Sequence, residues 1–256
     1  MVSRLFTAIF TFCLLGADAV AQALDSPRPE LRIGTEATNP PYVFVDEDGT
    51  LRGFEVEIVN DICAEIRMRC KLIPRPFSEL IQALQDRDID AIAAGMLTTE
   101  ERKRVLDFTD VYANFANRFI ARRNVNLEIS PKGLTGKKIG VMQGTSHARY
   151  VTDKFGTVAR IRRYTDIDEL FVDLTLGRND AILLSIPRAR ISFLQTRLGA
   201  DFEFVGPEIT DEQWFGAGAG MAVRKGEDEL RLTLNRGLAA IRAQGSYDRI
   251  VSRYVD

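Results

Sequence analysis

The chain has 256 residues, 45% of them hydrophobic, and 34 Lys and Arg stand against 36 Asp and Glu for a formal net charge of −2. That length allows one or two domains with a sizeable core. The charge balance gives no electrostatic reason to expect nucleic acid or an anionic membrane surface as a partner.

Residues 1–23 read as a secretory signal peptide. Arg4 follows the amino terminus, an apolar run extends from Leu5 to Gly16, and Ala19-Val20-Ala21 and Ala21-Gln22-Ala23 both fit a small-x-small cleavage site. The run is too short for a stable membrane span, although a retained signal anchor is the alternative. The expectation is a periplasmic protein whose mature chain starts near Gln22 or Leu24. Two cysteines then remain, Cys63 and Cys70. In an oxidising compartment a lone pair is read as a disulfide, with two buried free thiols as the alternative. Two cysteines and one distant histidine, His147, make no zinc site, and no cofactor is expected.

The first strand spans residues 31–35 and runs into Glu36-Ala37-Thr38-Asn39-Pro40-Pro41-Tyr42, expected as an extended loop. An acid, an amide and an aromatic ring thus leave one strand end together. Asp46 to Gly49 reads as a hairpin-like turn before a helix from Phe54, in which Val56, Val59, Ile62, Cys63 and Ile66 form one apolar stripe. A strand from Cys70 ends at Pro74, Phe77 sits just beyond it, and Ser78 is expected to cap the helix SELIQALQ. Asp90 to Ala94 reads as a short buried strand, and Gly95 lets the backbone turn. Thr98 and Glu101 have capping-box spacing. That spacing puts Arg102 in the first turn of a helix just past a strand's C-terminal end. Ligands in open α/β sheets collect at this edge, and a guanidinium beside free backbone N–H groups suits a carboxylate or phosphate.

Glu79-Leu80, Leu84 and Asp90-Ala91-Ile92 recur as Glu169-Leu170, Leu174 and Asp180-Ala181-Ile182 at the same spacings. Two α/β units of one pattern suggest two similar lobes with a cleft between them. After Arg102, residues 112–120 read as a strand without a clear amphipathic face, suited to connecting the lobes. The second unit starts with a strand over 138–142 that runs into Gln143-Gly144-Thr145-Ser146 and a helix. This loop exposes backbone N–H groups to an anion, but it has neither Walker nor GxGxxG spacing. Strands follow at 160–164, 180–185 and 202–205, with helices at 166–176 and 187–198. Gly206-Pro207 opens a second crossing segment, and helices from Asp228 and Ser246 return to the first lobe.

The segments LRIGTEATNPPY, LRGFEVEIVNDICAEI, FSELIQALQDRDIDAIAAGMLTTEERKRVLDFTDVY, LTGKKIGVMQGTS, GRNDAILLS and FGAGAGMAVRKGEDELRLTLNRGLAAIRAQGSYDRI cover nearly the whole mature chain. In that order they resemble the periplasmic polar-amino-acid-binding proteins of ABC importers, the group of the lysine/arginine/ornithine- and glutamine-binding proteins. The Cys63–Cys70 spacing resembles the disulfide of the lysine/arginine/ornithine binder.

The resemblance implies an α/β fold of two lobes joined by two crossing hinge strands, closing on one small ligand. One lobe would hold residues 24–113 and 219–256, the crossings 114–118 and 209–218, and the second lobe 119–208. It implies a monomer that binds a small-molecule carboxylate and docks on an ABC permease in the inner membrane. Arg102 would clamp the ligand carboxylate, helped by backbone groups near Gly95 and Thr145. Phe77 would cover the side chain, Glu36 would meet a cationic end, and Met142 would contribute backbone. Asn39 takes the place of a stacking aromatic, and Tyr42 leaves the same strand end. Two positions depart from the family's pattern. Leu97 replaces a hydroxyl residue that serves the carboxylate, and Ser185 replaces the aspartate that receives the α-ammonium. The departures predict a ligand without a free α-ammonium, or with that nitrogen substituted, and with a cationic or polar far end; the alternative is that Glu36 or a bound water reorganises to receive an ordinary amino acid. A sensor docking on a membrane receptor and a dehydratase-type enzyme using Glu36 with Glu55 as an acid/base pair are the competing readings.

Overall fold

The computed structural model describes residues 30–254, so the signal peptide and its cleavage site lie outside the described residues. Strands β1 (Glu30–Thr35), β2 (Thr38–Asn39), β3 (Val43–Val45), β4 (Leu51–Arg52), β5 (Arg69–Pro74), β6 (Ala91–Ile92) and β7 (Leu106–Phe108) belong to the first lobe. Strands β8 (Asn117–Arg122), β9 (Lys138–Met142), β10 (Arg160–Tyr164), β11 (Ala181–Ser185) and β12 (Phe202–Ile209) form the second, and β13 (Ala222–Arg224) returns to the first. The two main sheets have matching orders, β5-β1-β6-β13-β7 and β10-β9-β11-β8-β12. In each, three parallel strands are followed by antiparallel pairings.

The internal repeat of the sequence is an equivalence of hydrogen bonds. Asp90 accepts from the Arg32 N–H at 3.0 Å, and Asp180 accepts from the Lys138 N–H at 2.8 Å. Each aspartate also donates its own N–H to the carbonyl of that same residue. Ile33 pairs with Ala91 in one sheet and Ile139 with Ala181 in the other. A carboxylate satisfying an otherwise open N–H at the start of the first strand of each unit explains why an acid precedes both short apolar runs.

The helices Phe54–Glu65 and Asp228–Ala243 pack on the first sheet, with Phe54, Ile58 and Ile62 in one core with Leu234, Leu238 and Ile241. A Cβ at Gly237 would stand 2.8 Å from Ile62 Cγ2 and 3.1 Å from its carbonyl oxygen, so glycine is what lets these helices touch. Cys63 and Cys70 form a disulfide that ties the end of the first helix to β5. The constraint this places on the unfolded chain stabilises the fold by about 2–3 kcal/mol for so short a loop.

Several local expectations change. Residues 36–42 do not run extended: Thr38 pairs with Phe44 and Asn39 with Val43 around a cis Pro40–Pro41 bond. Ser78 lies inside a short 3-10 turn, Phe77–Glu79, and caps nothing. Thr99, not Thr98, caps the helix Glu100–Lys103, because Thr98 donates its hydroxyl to the Gly218 carbonyl. Residues 187–198 form a short helix, Ile186–Ala189, that widens into a π turn, Arg190–Leu194. β12 continues past Gly206-Pro207 to Ile209 through an irregularity. β8 lacks an amphipathic face because it lies between β11 and β12, with Phe119, Ile120 and Ala121 fully buried. Between the sheets the chain crosses twice. The crossings run antiparallel and are tied by the Ala219 N–H to the Ala113 carbonyl (2.7 Å) and the Tyr112 N–H to the Ala219 carbonyl (2.9 Å).

Candidate functional site

The C-terminal ends of β1, β6, β9 and β11 face one another across a cleft with about 970 Å³ of atom-free space, its solvent-open mouth included. This is where the strand order of each sheet turns back on itself, the usual place for ligands in such sheets. All ten residues singled out from the sequence line it: Glu36, Asn39, Tyr42, Phe77, Gly95, Leu97, Arg102, Met142, Thr145 and Ser185. The cleft also takes in Glu55, which the sequence reading placed beside Glu36 only in the enzyme alternative, and Phe115, Asn117, His147 and Arg188, which it did not assign to a site.

Arg102 projects from the first turn of its helix and is buried, with 8% of its surface exposed. Its Nη1 donates to the Leu97 carbonyl at 3.1 Å and its Nη2 to the Gly144 carbonyl of the other lobe at 3.3 Å. The guanidinium lies 5.3 Å from the centre of the Phe77 ring. Burial pushes its pKa down to about 10, and the carboxylate that favours its charge, Glu101, is itself paired with Arg149. Among the described residues no carboxylate forms an ion pair with Arg102. A buried guanidinium held by two neutral carbonyls retains donors and charge for an anion.

Gly95 has φ of +61°, a left-handed conformation that glycine tolerates, and its N–H donates to Glu55 Oε1 at 2.7 Å. The same oxygen accepts from the Tyr112 hydroxyl, while Oε2 has no protein partner. Burial, with a smaller contribution from the Glu36 charge, pushes the Glu55 pKa up to about 7. The Thr145 hydroxyl is spent locally, accepting from the Ala148 N–H at 3.2 Å and donating to the Met142 carbonyl at 2.7 Å. The Leu97 side chain packs against the cores of both lobes.

Asn117 fixes the tautomer of His147. Its Nδ2 donates to the Ile209 carbonyl at 3.1 Å, which turns Oδ1 toward His147 Nε2 at 2.7 Å. Nε2 therefore carries the proton, leaving Nδ1 as an acceptor. Burial first, then the charges of Arg188 and Arg102, bring the His147 pKa down to about 3, so the ring is neutral at physiological pH.

Arg188 extends from the helix that follows β11 into the same cleft, crossing to the first lobe. Its Nη2 donates to the Thr38 carbonyl at 2.8 Å and its Nη1 stands 4.0 Å from Glu36 Oε2. Burial raises the pKa of Glu36, partly offset by Arg188, and lowers that of Arg188. Nε of Arg188 and Oδ1 of Asn39 are buried without protein partners. The signal for Arg188 was present in the sequence. It stands three residues past the strand end at Ser185, the same kind of position that drew attention to Arg102.

Residues 31–256 match the family described as bacterial extracellular solute-binding proteins, family 3. An L-arginine-binding protein of Pseudomonas aeruginosa is 40% identical, over 94% of this chain and 95% of that protein. The histidine-binding periplasmic protein of Escherichia coli is 32% identical, over 97% of this chain and 96% of its own length. An ancestral arginine-binding protein solved with arginine superposes with a TM-score of 0.82 at 32% identity, covering 90% of this chain and 100% of that one. These relatives are binding proteins, and no helix among the described residues is long and apolar enough to cross a membrane.

Proposed function

Because the chain belongs to the bacterial extracellular solute-binding proteins of family 3, we propose that it captures a small amino-acid-like carboxylate in the periplasm and delivers it to an ABC permease. The observation that carries this reading is Arg102, a buried guanidinium without a paired carboxylate that spans both lobes through the Leu97 and Gly144 carbonyls. A ligand carboxylate placed there would touch both lobes at once, and that differential contact is what favours a closed form. The ligand's nitrogen is not a free α-ammonium. Ser185 offers only a hydroxyl at that strand end, and burying an unpaired cation is costly.

The protein acts as a monomer and as a binder. The dehydratase reading pairs Glu36 with Glu55, but Glu36 faces the Arg188 guanidinium and Glu55 Oε1 is held by the Gly95 N–H and the Tyr112 hydroxyl, so both carboxyls are already engaged by the protein. Gentle purification followed by mass spectrometry of the retained ligand identifies what is captured, and calorimetry with that ligand tests the site. Arg102→Ala is expected to lose about 2–5 kcal/mol of binding. Arg102→Lys is expected to recover little of it, because an ammonium lacks the planar fork. Wild-type affinity in the alanine variant would remove Arg102 from the site.

A further inference from the structure

Two buried guanidinium groups line this one cleft, and they enter it from opposite lobes. Arg102 belongs to the first lobe and Arg188 to the second, and His147 feels the charge of both. The anions available to balance them are few. Glu36 faces Arg188 at 4.0 Å, and Glu55 is already the acceptor of the Gly95 N–H and the Tyr112 hydroxyl. Its charge is opposed by burial, and no other carboxylate lines the cleft among the described residues. With Glu36 ionised the cleft carries a surplus of one positive charge, and because burial opposes the charge of Glu36 as well, the surplus lies between one and two.

The donors point the same way. Arg188 uses Nη2 on the Thr38 carbonyl, and its buried Nε has no partner within the protein. An unsatisfied buried N–H of a guanidinium costs stability unless something accepts from it, and an anionic acceptor makes the stronger bond. Glu36 is the acid that the family resemblance assigns to a cationic ligand end. Here a side chain of the protein itself already stands opposite it. A ligand bringing a second cation would have to displace Arg188 from Glu36 and leave that guanidinium buried and unpaired.

We propose that Arg188 is a second anion-recognition point, so that the ligand carries two acidic groups, one met by Arg102 and the other by Arg188, and cationic amino acids are disfavoured. This rests on the reading of the cleft as a ligand site and adds the class of ligand. Dicarboxylates whose nitrogen is absent or substituted fit both the open Nε of Arg188 and the hydroxyl at Ser185.

The test is calorimetry on the full mature protein with two sets of probes. One set holds L-arginine, L-lysine and L-glutamine; the other holds 2-oxoglutarate and N-(1-carboxyethyl)-L-alanine. The expected result is that at least one dicarboxylate binds about tenfold or more tightly than every member of the first set. Arg188→Ala is expected to weaken that dicarboxylate by about thirtyfold or more while leaving L-arginine unchanged or improved. Arg188→Lys, which keeps a charge without the fork, is expected to fall between wild type and the alanine variant. Circular dichroism confirms that both variants fold; were Arg188→Ala to misfold, the lysine variant and the wild-type ranking still decide. L-Arginine binding as tightly as the best dicarboxylate overturns the proposal, as does equal weakening of both sets by Arg188→Ala. In either case a large loss with Arg102→Ala leaves the ligand-site reading standing. Binding of no probe by the wild type overturns the dicarboxylate class and counts against the ligand-site reading as well.

Discussion

The hydroxyl of Tyr42 lies 3.2 Å from the hydroxyl of Ser185, across the gap between the two lobes. Two neutral groups therefore meet where the family resemblance places a carboxylate for an ammonium. Tyr42 is buried, and burial drives its pKa up, so it stays a neutral hydroxyl hydrogen-bonded to the serine. The pair closes this wall of the cleft without charge.

Ser185→Asp restores an anion at that strand end. The expected outcome is a loss of affinity for the native carboxylate ligand, on the order of tenfold or more, because a buried like charge is added near it. Unmodified L-α-amino acids should gain affinity at the same time. Ser185→Asn serves as the control for size, and it should change neither affinity in that pattern. A thermal-shift panel across both ligand classes reads the outcome. Micromolar binding of an unmodified amino acid by the wild type would contradict the premise.

Closure makes a second prediction. The lobes touch through Tyr42 and Ser185, through Ser192 Oγ to the Pro40 carbonyl at 3.1 Å, and through an ion pair of Arg149 with Glu101 at the rim. The rim pair is largely exposed and contributes only on the order of 0.2–1 kcal/mol, so Glu101→Gln should change ligand affinity little. Inside, Arg102 also donates to the Gly144 carbonyl and Arg188 to the Thr38 carbonyl beside Glu36, contacts between the lobes that a bound anion would reinforce. Small-angle scattering should therefore show a contraction when ligand saturates the protein, with the crossings near Ala113 and Ala219 as the hinge. An unchanged radius of gyration with a verified ligand would remove the trap mechanism.

How much of this was legible in the residues differs by level. Asp90 and Asp180 announced the duplicated unit because the same hydrogen bond needs the same acid in each copy. Arg102 was legible because strand, glycine turn and helix start lie within a dozen residues. The turn chemistry was less so. Thr98 and Thr99 are both competent caps, and the Gly218 carbonyl, which decides between them, lies far along the chain. The loop after Glu36 folds back because Thr38 and Asn39 find partners in β3, a pairing that local proline stiffness does not disclose. Arg188 stands just past a strand end, as Arg102 does, but its neighbours obscured that signal. A basic residue in a helix rich in arginine reads as solvent-facing until the opposite lobe supplies Thr38 and Glu36.

The last prediction concerns pH. Glu55 titrates in the folded protein at about 7, above the usual carboxylate value of 4.5, because it is buried. A carboxyl raised in this way stabilises the fold fully below its unfolded value, and that stability is lost as the pH rises through about 7. Glu36 is raised as well and acts with the same sign. His147 acts oppositely: its folded pKa of about 3 lies below the ordinary 6.5, so its contribution is complete above 6.5 and lost as the pH falls. Between these limits the two slopes oppose each other, and the wild type should show a shallow dependence. The difference between a variant and the wild type isolates each group. Glu55→Gln keeps an acceptor for the Gly95 N–H and the Tyr112 hydroxyl but cannot ionise. Its stability relative to wild type in urea unfolding should rise by up to about 3 kcal/mol between roughly pH 5 and pH 8. His147→Gln should move the other way, gaining on the wild type as the pH is lowered through 6. A Glu55→Gln difference that stays constant across that range would show that the Glu55 pKa is not raised in the fold.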